Sequence, residues 1–433
     1  MQAGFFFTLR TCRDTMNIYQ AFGGMSVRRV FCLLFLLLWL MLPAFAQAQP
    51  TLFVASDLHF ISPALTDHGE YFTRLIESGD GKLVHYCNEL TDAFVSEVIK
   101  AQPDCLILSG DLTFNGAKKS HEDLAAKLRR IDESGVPVLV MPGNHDLYAT
   151  AAASFSGNEY TLTDGVTAEE FAALYHDLGF DEALFRDPYS LSYIAEPIPG
   201  VRILMLDTNT RSAKGTVTQS TLFWLEDMLK KAHNDGAKVI AVTHQNLYAH
   251  SSLFQKGYVL SNADALSRMY ETYDVCINLS GHMHIQHTVC PEGKLPEIAS
   301  SSLSVSPCQY GVISLHEGSA QYRAQAVDVA AWARENGKDD QNLLDFAQYA
   351  ADFFTATSLS QSDPKHFDDP NARAKAMWLT NLNAAYFSGR MDTIDAGSEH
   401  AAHYLSGDSF MSMYVASMLK KPLRDHTQLT FPF

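Results

Sequence analysis

Short runs of apolar residues alternate with amphipathic stretches along the first three quarters of the chain. Apolar runs rich in β-branched residues predict strands, and apolar residues spaced three and four apart predict helices. Strands are predicted at residues 52–55, 105–109, 137–141, 190–195, 202–206, 238–242 and 275–279, and helices at about 92–100, 120–133 and 218–234. Strands that alternate with helices are typical of an α/β protein.

The pattern changes toward the C-terminus. Residues 298–305, 311–316 and 321–327 are predicted to form consecutive antiparallel strands. After residue 330 the apolar spacing is wholly helical, with helices predicted at 343–355, 371–387 and 400–419. We therefore predict a domain over residues 49–329 and a helical C-terminal domain over residues 330–433.

Residues 1–48 have the pattern of a secretory signal peptide. Arg28 and Arg29 precede an uncharged apolar run over residues 30–45, and Ala44-Phe45-Ala46 supplies a small-x-small cleavage pattern. The run is shorter than the ~20 residues of a membrane-spanning helix. The mature protein is therefore expected to be exported, to the periplasm or the extracellular space, without a stable membrane span.

The amino-acid composition limits the core, the binding partners and the disulfides that can be expected. The chain has 433 residues, of which 47% are hydrophobic, enough for one large core and a smaller appended unit. Its net charge of −17 disfavours a nucleic-acid surface, because such surfaces need Lys and Arg to replace counterions. Among the cysteines expected to remain after export, Cys290 and Cys308 flank a turn-rich region and predict a disulfide. The oligomeric state is left open.

Five predicted strands are followed by residues whose oxygen or nitrogen atoms commonly bind divalent metals. These segments are Asp57-Leu58-His59, Gly110-Asp111, Gly143-Asn144-His145-Asp146, His244 and Gly281-His282-Met283-His284. Each segment alone is more often a surface or capping feature than a metal site. All five in order, each after a β-rich run, predict a site that holds two metal ions.

The spacing suggests how two ions are shared. Residues i and i+2 of an extended strand point to one face, so Asp57 and His59 can bind the same ion. The two oxygens of Asp111 can bridge both ions. If the chain leaves strand geometry after Gly281, the rings of His282 and His284 can bind different ions. Mixed oxygen and nitrogen ligands favour Mn, Fe or Zn over Mg or Ca.

Two ions at such a site would activate a bridging hydroxide to attack phosphorus and would stabilise the leaving group. His145, which is not needed as a ligand, is then placed to act on the leaving-group oxygen. Asp146 or Asn115 could orient its ring. A small phosphorylated substrate is expected, and the residues leave phosphomonoester and phosphodiester open. A metal-binding exported protein without turnover is the alternative.

This ordered set of residues resembles the calcineurin-like metallophosphoesterase superfamily over about residues 51–329. The resemblance implies a four-layer α/β/β/α sandwich with metals at the strand ends, which is an α/β fold here followed by the helical C-terminal extension. It implies that His145 is a general acid or phosphate stabiliser. It also implies two metal-ligand sets, one of Asp57, His59, Asp111 and His284, the other of Asp111, Asn144, His244 and His282.

One segment indicates a branch of the superfamily. Gly110-Asp111-Leu112-Thr113 followed by Gly116 is similar to the branch that contains class III cyclic-nucleotide phosphodiesterases. The segment Thr243-His244-Gln245-Asn246 differs from the His-His-Pro or His-Gly-Gly common elsewhere in the superfamily. The sequence therefore favours a phosphatase or phosphodiesterase without selecting its substrate.

Overall fold

The computed structural model describes residues 49–361, 370–420 and 422–433. The predicted signal peptide, with Arg28 and Arg29, lies outside the described residues. Residues 50–433 form one compact unit. Within the described part of the chain, no helix has the length and apolar character needed to cross a lipid bilayer.

The unit contains seventeen strands in the described residues. In chain order they are β1 Thr51–Ala55, β2 Cys105–Leu108, β3 Val138–Val140, β4 Ala153–Ser156, β5 Glu159–Leu162, β6 Phe185–Arg186, β7 Tyr193–Ile198, β8 Val201–Met205, β9 Asn209–Thr210, β10 Ala213–Lys214, β11 Lys238–Val242, β12 Val275–Ser280, β13 His287–Val289, β14 Glu297–Ala299, β15 Gln309–His316, β16 Ser319–Ala326 and β17 Gln428–Pro432.

Twelve α-helices connect or follow these strands in the described residues. They are α1 Glu70–Glu77, α2 Cys87–Ala101, α3 Lys118–Asp132, α4 Ala168–Leu174, α5 Gln219–Asn234, α6 Ala263–Thr272, α7 Val329–Glu335, α8 Gln341–Leu344, α9 Phe346–Gln361, α10 Pro370–Ser388, α11 Glu399–Leu405 and α12 Phe410–Met418. Short 3₁₀ turns occur at Pro63–Leu65, Val84–Tyr86 and Met391–Thr393, and a π-type turn at His176–Phe180.

Two large sheets form the centre of the fold. The first has the strand order β17-β16-β15-β1-β2-β3, and the second has the order β13-β14-β12-β11-β8-β7-β6. Strands β1, β2 and β3 are parallel to one another, as are β8, β11, β12 and β14. The carboxyl ends of the parallel strands in each sheet therefore meet at one edge, where the donor residues follow.

Side chains at alternate positions of β11 pack on opposite faces of the second sheet, one against the first sheet and one against a helix. Ile240 and Val242 belong to the core between the two sheets, whereas Val239 and Ala241 pack against the apolar face of α5. A strand places successive side chains on opposite faces, so apolar residues throughout β11 bury both faces of its sheet. The predicted α/β class with sheets packed face to face and helices outside is confirmed.

Several strand predictions need correction. Residues 298–305 were expected to be antiparallel to the strands that follow, but Glu297–Ala299 is shorter and runs parallel to β12 in the second sheet. Strands β15 and β16 form the expected antiparallel pair in the first sheet. The predicted Cys290–Cys308 disulfide is wrong, because both thiols are free. Cys290 follows β13 and Cys308 precedes β15, so the two residues leave different sheets.

The C-terminal segment packs directly on the loop after β12. Met283 and Ile285 lie in one apolar cluster with Leu379, Leu382 and Tyr386 of α10. Beyond the helices, β17 pairs antiparallel with β16 and completes the edge of the first sheet. The wholly helical pattern predicted after residue 330 therefore missed this strand, which is too short for a clear two-residue period. The proposed boundary at residue 330 stays a prediction.

Candidate metal centre

The seven predicted metal-binding side chains lie together beyond the carboxyl ends of strands from both sheets. The donor atoms of six of them, together with His145, fall into overlapping groups in which all atoms lie within 4.8 Å of one another. The groups are Asp57, His59 and His284; His59, Asp111 and His145; and Asp111, His244 and His282. Asn144 joins the last group through its side-chain oxygen, which lies 3.1 Å from Nε2 of His244.

In the group of Asp57, His59 and His284, the donor atoms lie within 3.8 Å of one another. Nε2 of His284 lies 3.4 Å from Oδ1 of Asp57 and 3.1 Å from Nε2 of His59. Oδ1 of Asp57 lies 3.8 Å from the same His59 nitrogen. A carboxylate oxygen and two imidazole nitrogens therefore face one another at a spacing that suits a common cation.

Asp111, His244 and His282 form another of these groups. Oδ2 of Asp111 lies 3.3 Å from Nε2 of His244, and the rings of His244 and His282 have centroids 5.0 Å apart. His282 and His284, two residues apart, thus join different groups. The chain leaves strand geometry at Gly281, as the sequence required for this division.

Buried polar atoms test whether metals fit this arrangement. Oδ1 of Asp57, Nδ1 of His59 and Nδ1 of His282 are buried and have no hydrogen-bond partner among the described residues. Leaving buried polar atoms unsatisfied costs on the order of 1–3 kcal/mol each, and more for charged groups. Cations held by the groups of Asp57 and of His282 would satisfy the Asp57 oxygen and the His282 nitrogen, so the residues fit two metal ions.

Hydrogen bonds on the outer side of the rings fix which nitrogen faces the centre. Nδ1 of His244 donates to the carbonyl oxygen of Ser109 at 2.9 Å, and Nε2 of His282 donates to that of Gly257 at 3.0 Å. A carbonyl only accepts, so the opposite nitrogen of each neutral ring carries the lone pair. His244 therefore presents Nε2 to the centre, whereas His282 presents Nδ1.

The pKa values of the histidines at the centre depend on burial and on the neighbouring carboxylates. Burial lowers the pKa of His244, but Asp111, with smaller contributions from Asp57 and the Ser109 carbonyl, more than reverses this and raises it to about 9. Burial likewise opposes, and Asp57 produces, the rise in the pKa of His284 to about 9. Burial and the neighbouring His244 lower the pKa of His282 to about 4. Metal binding must therefore displace protons from His244 and His284.

Five of the seven residues adopt a backbone conformation that the sequence did not predict. Their φ angles lie between 45° and 68°, in the left-handed region; the five are Asp57, His59, Asp111, His282 and His284. Such a conformation costs on the order of 1–3 kcal/mol per residue, and it clusters at functional sites. Asp57 and His59 converge because the chain bends after β1, not because they share a face of an extended strand.

Glycines beside the ligands allow the loops to approach one another. A Cβ atom at Gly143 would lie 2.1 Å from Oδ1 of Asp111, and one at Gly281 would lie 1.8 Å from Oγ of Ser56. No side chain can be accommodated at these distances. The Gly that precedes each of these metal-binding segments is therefore a steric requirement of the site.

His145 stands at the open side of the centre, with 42% of its side chain exposed. Its Nδ1 donates to the carbonyl oxygen of Phe114 at 3.1 Å, and its Nε2 lies 3.8 Å from Oδ2 of Asp111. The expected orienting role of Asp146 or Asn115 is wrong. Buried Asp146 accepts four hydrogen bonds from Leu112, Thr113 and Gly143, and Asn115 bonds to Ala153 and Ala117.

The sequence analysis did not identify Asp80, which lies in the segment between α1 and α2. Its Oδ2 lies 3.2 Å from Nδ1 of His284, and it also accepts a hydrogen bond from Lys82 at 2.8 Å. Carboxylates that bind the outer nitrogen of a metal-binding histidine fix its orientation. In the sequence, Asp80-Gly81 is indistinguishable from a solvated turn, so no signal could have found it.

We expect Asp80→Ala to weaken metal binding by about 10–100-fold, because His284 loses the carboxylate that orients it. Titration of the protein against a chromophoric chelator measures this affinity for Mn²⁺ or Zn²⁺. Asp339→Ala removes an exposed carboxylate elsewhere and serves as the matched control. Unchanged affinity in the Asp80 variant would reduce Asp80 to a partner of Lys82.

Other polar residues lie beside the centre or away from it. Arg211 lies over the ring of Tyr148, 5.4 Å from its centroid. His250 is buried next to Glu297, with 3.2 Å between its Nε2 and the carboxylate, and does not join the groups described above. Nζ of Lys214 donates to the backbone carbonyl of Asn144 at 3.1 Å.

Comparison with known proteins gives two family matches. Residues 50–286, more than half of the chain, match the family described as calcineurin-like phosphoesterase. Residues 328–425 match the C-terminal domain of cyclic nucleotide phosphodiesterase. The first match contains all seven predicted ligands and His145.

Individual relatives are distant. The chain is 27% identical over 134 residues to "Probable glycerophosphodiester phosphodiesterase GpdQ" of Arcobacter nitrofigilis, covering 31% of this chain and 39% of that protein. It is 26% identical over 220 residues to "Probable cyclic nucleotide phosphodiesterase" of Fibrobacter succinogenes, covering 50% and 71%. A dimetal phosphatase from Danio rerio aligns in structure with a TM-score of 0.46 at 14% identity, covering 65% of this chain and 97% of that one.

Proposed function

Because the chain belongs to the calcineurin-like phosphoesterase family, we propose that it is a metal-dependent hydrolase of phosphodiesters. The observation that supports this most directly is the pair of donor groups that share the Asp111 neighbourhood. One contains Asp57, His59 and His284, and the other contains Asp111, His244 and His282.

The proposed ligand sets follow this division. Asp57, His59, Asp111 and His284 would hold one ion, and Asp111, Asn144, His244 and His282 the other. Two bound ions, most suitably Mn, Fe or Zn, would supply a water activated as the nucleophile and would neutralise the phosphate charge. Asp111 is the residue that would keep them together, since its carboxylate lies near His59 of the first group as well as His244 and His282 of the other.

His145 would act on the leaving group. The Phe114 carbonyl holds the proton on Nδ1, so Nε2 is directed toward the donor groups and remains accessible to a substrate. A protonated Nε2 can donate to the oxygen that departs from phosphorus as an alcohol. His145 would therefore assist departure without holding a metal.

We favour a phosphodiester over a phosphomonoester because of the relatives. The two sequence relatives described above are named as probable phosphodiesterases, and residues 328–425 match a domain of cyclic nucleotide phosphodiesterase. The matched region spans 39% of the first of these proteins. The chain thus matches less than half of that protein, and the activity of the whole protein is for that reason part of the proposal.

We expect the Mn²⁺-loaded protein to hydrolyse bis(p-nitrophenyl) phosphate at least about tenfold more efficiently than p-nitrophenyl phosphate. The reason is that the diester has a second organic group to bind beside the metal centre, and tenfold corresponds to about 1.4 kcal/mol. Release of p-nitrophenolate gives kcat/KM for both esters. The reverse preference would make the protein a phosphomonoesterase. Two bound ions with hydrolysis of neither ester would favour a silent metal-binding protein.

We also propose that the protein acts after export, in the periplasm or the extracellular space. Support comes from Arg28, Arg29 and the apolar run over residues 30–45, followed by a cleavage pattern. N-terminal sequencing of the mature protein after cell fractionation tests this, and an intact N-terminus in the cytoplasm would contradict it.

A further inference from the structure

A second cavity, of about 330 Å³, has a positively charged lining and contains none of the seven metal-binding residues. The loop after β11, strand β13 and the C-terminal segment form its wall. The described lining residues include no Asp or Glu, but they include five basic side chains: His250, His287, Lys420, Arg424 and His426. A cavity of this size can hold a small molecule, and a lining of one sign of charge attracts the opposite sign. The cavity therefore suits an anion.

The three histidines form one cluster in the wall. The rings of His287 and His426 are stacked, with centroids 3.9 Å apart. Nδ1 of His287 lies 3.0 Å from Nδ1 of His250, so one of these two rings donates to the other. Nε2 of His287 has no hydrogen-bond partner within residues 49–361, 370–420 and 422–433, and it is not among the fully buried atoms. This nitrogen is available to a ligand.

Hydrogen bonds fix the tautomer of His426. Its Nδ1 accepts the backbone N–H of Thr288 at 3.1 Å. A backbone amide only donates, so the neutral ring carries its lone pair on Nδ1 and its proton on Nε2. His426 is buried as a residue, but its Nε2 has neither an acceptor in the described part of the chain nor a place among the fully buried atoms. His426 therefore offers one N–H group to a ligand.

Arg424 and Lys420 supply positive charge to the same wall. Nη2 of Arg424 donates to the carbonyl oxygen of Thr288 at 3.1 Å, and its other N–H groups have no acceptor among the described residues. Burial and the nearby charge of Arg424 lower the pKa of His426 to about 4. A guanidinium group binds phosphate oxygens with two parallel N–H groups, which favours phosphate among possible anions.

The carboxylates near the cluster have other partners. Asp425 accepts hydrogen bonds from the backbone and the hydroxyl group of Thr427. Glu297 lies 3.2 Å from Nε2 of His250 and accepts the backbone N–H of Tyr248. Neither carboxylate is among the described lining residues. An anion in the cavity would therefore meet the positive charge of the wall directly.

A metal ion does not suit this cluster. Thr288 occupies the lone pair of His426, and the Nδ1 atoms of His250 and His287 bond to each other. Among the described residues, the groups of three or more donors that could hold an ion all belong to the metal centre. The free guanidinium N–H groups of Arg424 would also repel a cation.

We propose that this cavity binds a phosphate dianion, either free or as the phosphate group of a small monoester. Arg424 and Lys420 would supply the charge, and Nε2 of His426 would donate a hydrogen bond to a phosphate oxygen. Apolar lining side chains, Met418 and Leu423 among them, leave a surface for the organic group of an ester. The site is separate from the metal centre and does not depend on hydrolysis there.

Calorimetric titration of the full, Mn²⁺-loaded protein with inorganic phosphate tests the proposal. Arg424→Ala should weaken one binding event at least about tenfold, because the phosphate loses charge-assisted hydrogen bonds. Lys420→Ala, at an exposed position, should weaken the same event by about threefold. Arg268→Ala removes an exposed arginine from α6 and should leave phosphate binding unchanged.

A second ligand distinguishes the two sources of phosphate. Phenylphosphonate carries an organic group on phosphorus through a P–C bond that the protein cannot hydrolyse. Binding at this cavity that is tighter than that of inorganic phosphate would identify a monoester as the ligand. Equal or weaker binding would identify free phosphate.

Inhibition kinetics separate this cavity from the metal centre. Phosphate at the metals would compete with bis(p-nitrophenyl) phosphate, and its inhibition constant should agree within about twofold between wild type and Arg424→Ala. Unchanged phosphate affinity in both cavity variants would overturn the proposal, and so would an inhibition constant that rises in parallel with the loss of binding. Since Arg424→Ala also loses the bond to Thr288, thermal unfolding is measured, and Lys420→Ala decides if the first variant is unfolded.

Discussion

Replacing Asp111 with asparagine is expected to lower turnover of bis(p-nitrophenyl) phosphate on the order of 10³-fold and to leave the protein unable to hold two ions. The carboxylate belongs to two of the donor groups, and its Oδ2 lies 3.3 Å from Nε2 of His244. An amide has one oxygen acceptor and no negative charge, so it cannot serve two cations. Metal analysis after dialysis and steady-state kinetics measure the two effects.

Asparagine is preferred to alanine because Oδ1 of Asp111 also accepts the backbone N–H of His145 at 2.8 Å. The variant keeps an acceptor there, and its circular dichroism spectrum should match that of the wild type. Asp227→Asn makes the same chemical change on an exposed face of α5 and should retain both metals and activity. Two tightly held ions and full turnover in the Asp111 variant would overturn the proposed metal centre.

His145→Ala is expected to lower kcat by about 10²–10⁴-fold while both metal ions stay bound. His145 projects toward the donor groups from a loop that the Phe114 carbonyl and Asp111 hold in place, and 42% of its side chain is exposed. The loss should be smaller for p-nitrophenolate than for an aliphatic alcohol, because a poorer leaving group needs the proton more.

His233→Ala, at the far end of α5, supplies the matched control and should have wild-type kinetics. Loss of one metal ion in His145→Ala would identify His145 as a ligand. An equal loss for both leaving groups would indicate that it stabilises the phosphate and does not donate the proton.

The strand-end residues were accessible from the sequence for a local reason. A β-rich run followed within one or two residues by a donor residue, as at Asp57, Asp111 and His244, specifies both the strand and the donor at its end. Parallel strands bring such ends to one edge, so Asp57, Asp111 and His244 could be expected to meet. The division of His282 and His284 between two groups also followed from their position after Gly281.

The residues that surround the metal centre could not be predicted from the sequence. Asp80 contacts His284, which lies about two hundred residues further along the chain. The segment of Asp80 also packs against α9, since a Cβ at Gly81 would lie 2.8 Å from the ring of Phe354. The carbonyl of Phe114, which orients His145, has no side-chain signature at all. The error over Cys290 and Cys308 has the same origin, because proximity in the sequence did not reveal that their strands join different sheets.

The sequence by itself determined the family, the α/β fold and the side chains that gather at the strand ends, since each depends on periodicity and on residue types a few positions apart. Only the tertiary structure decided what surrounds them: the left-handed backbone of the donor residues, the carboxylate of Asp80 and the carbonyl of Phe114. These depend on packing between segments far apart in the chain, and no local pattern encodes which distant surface a helix will cover.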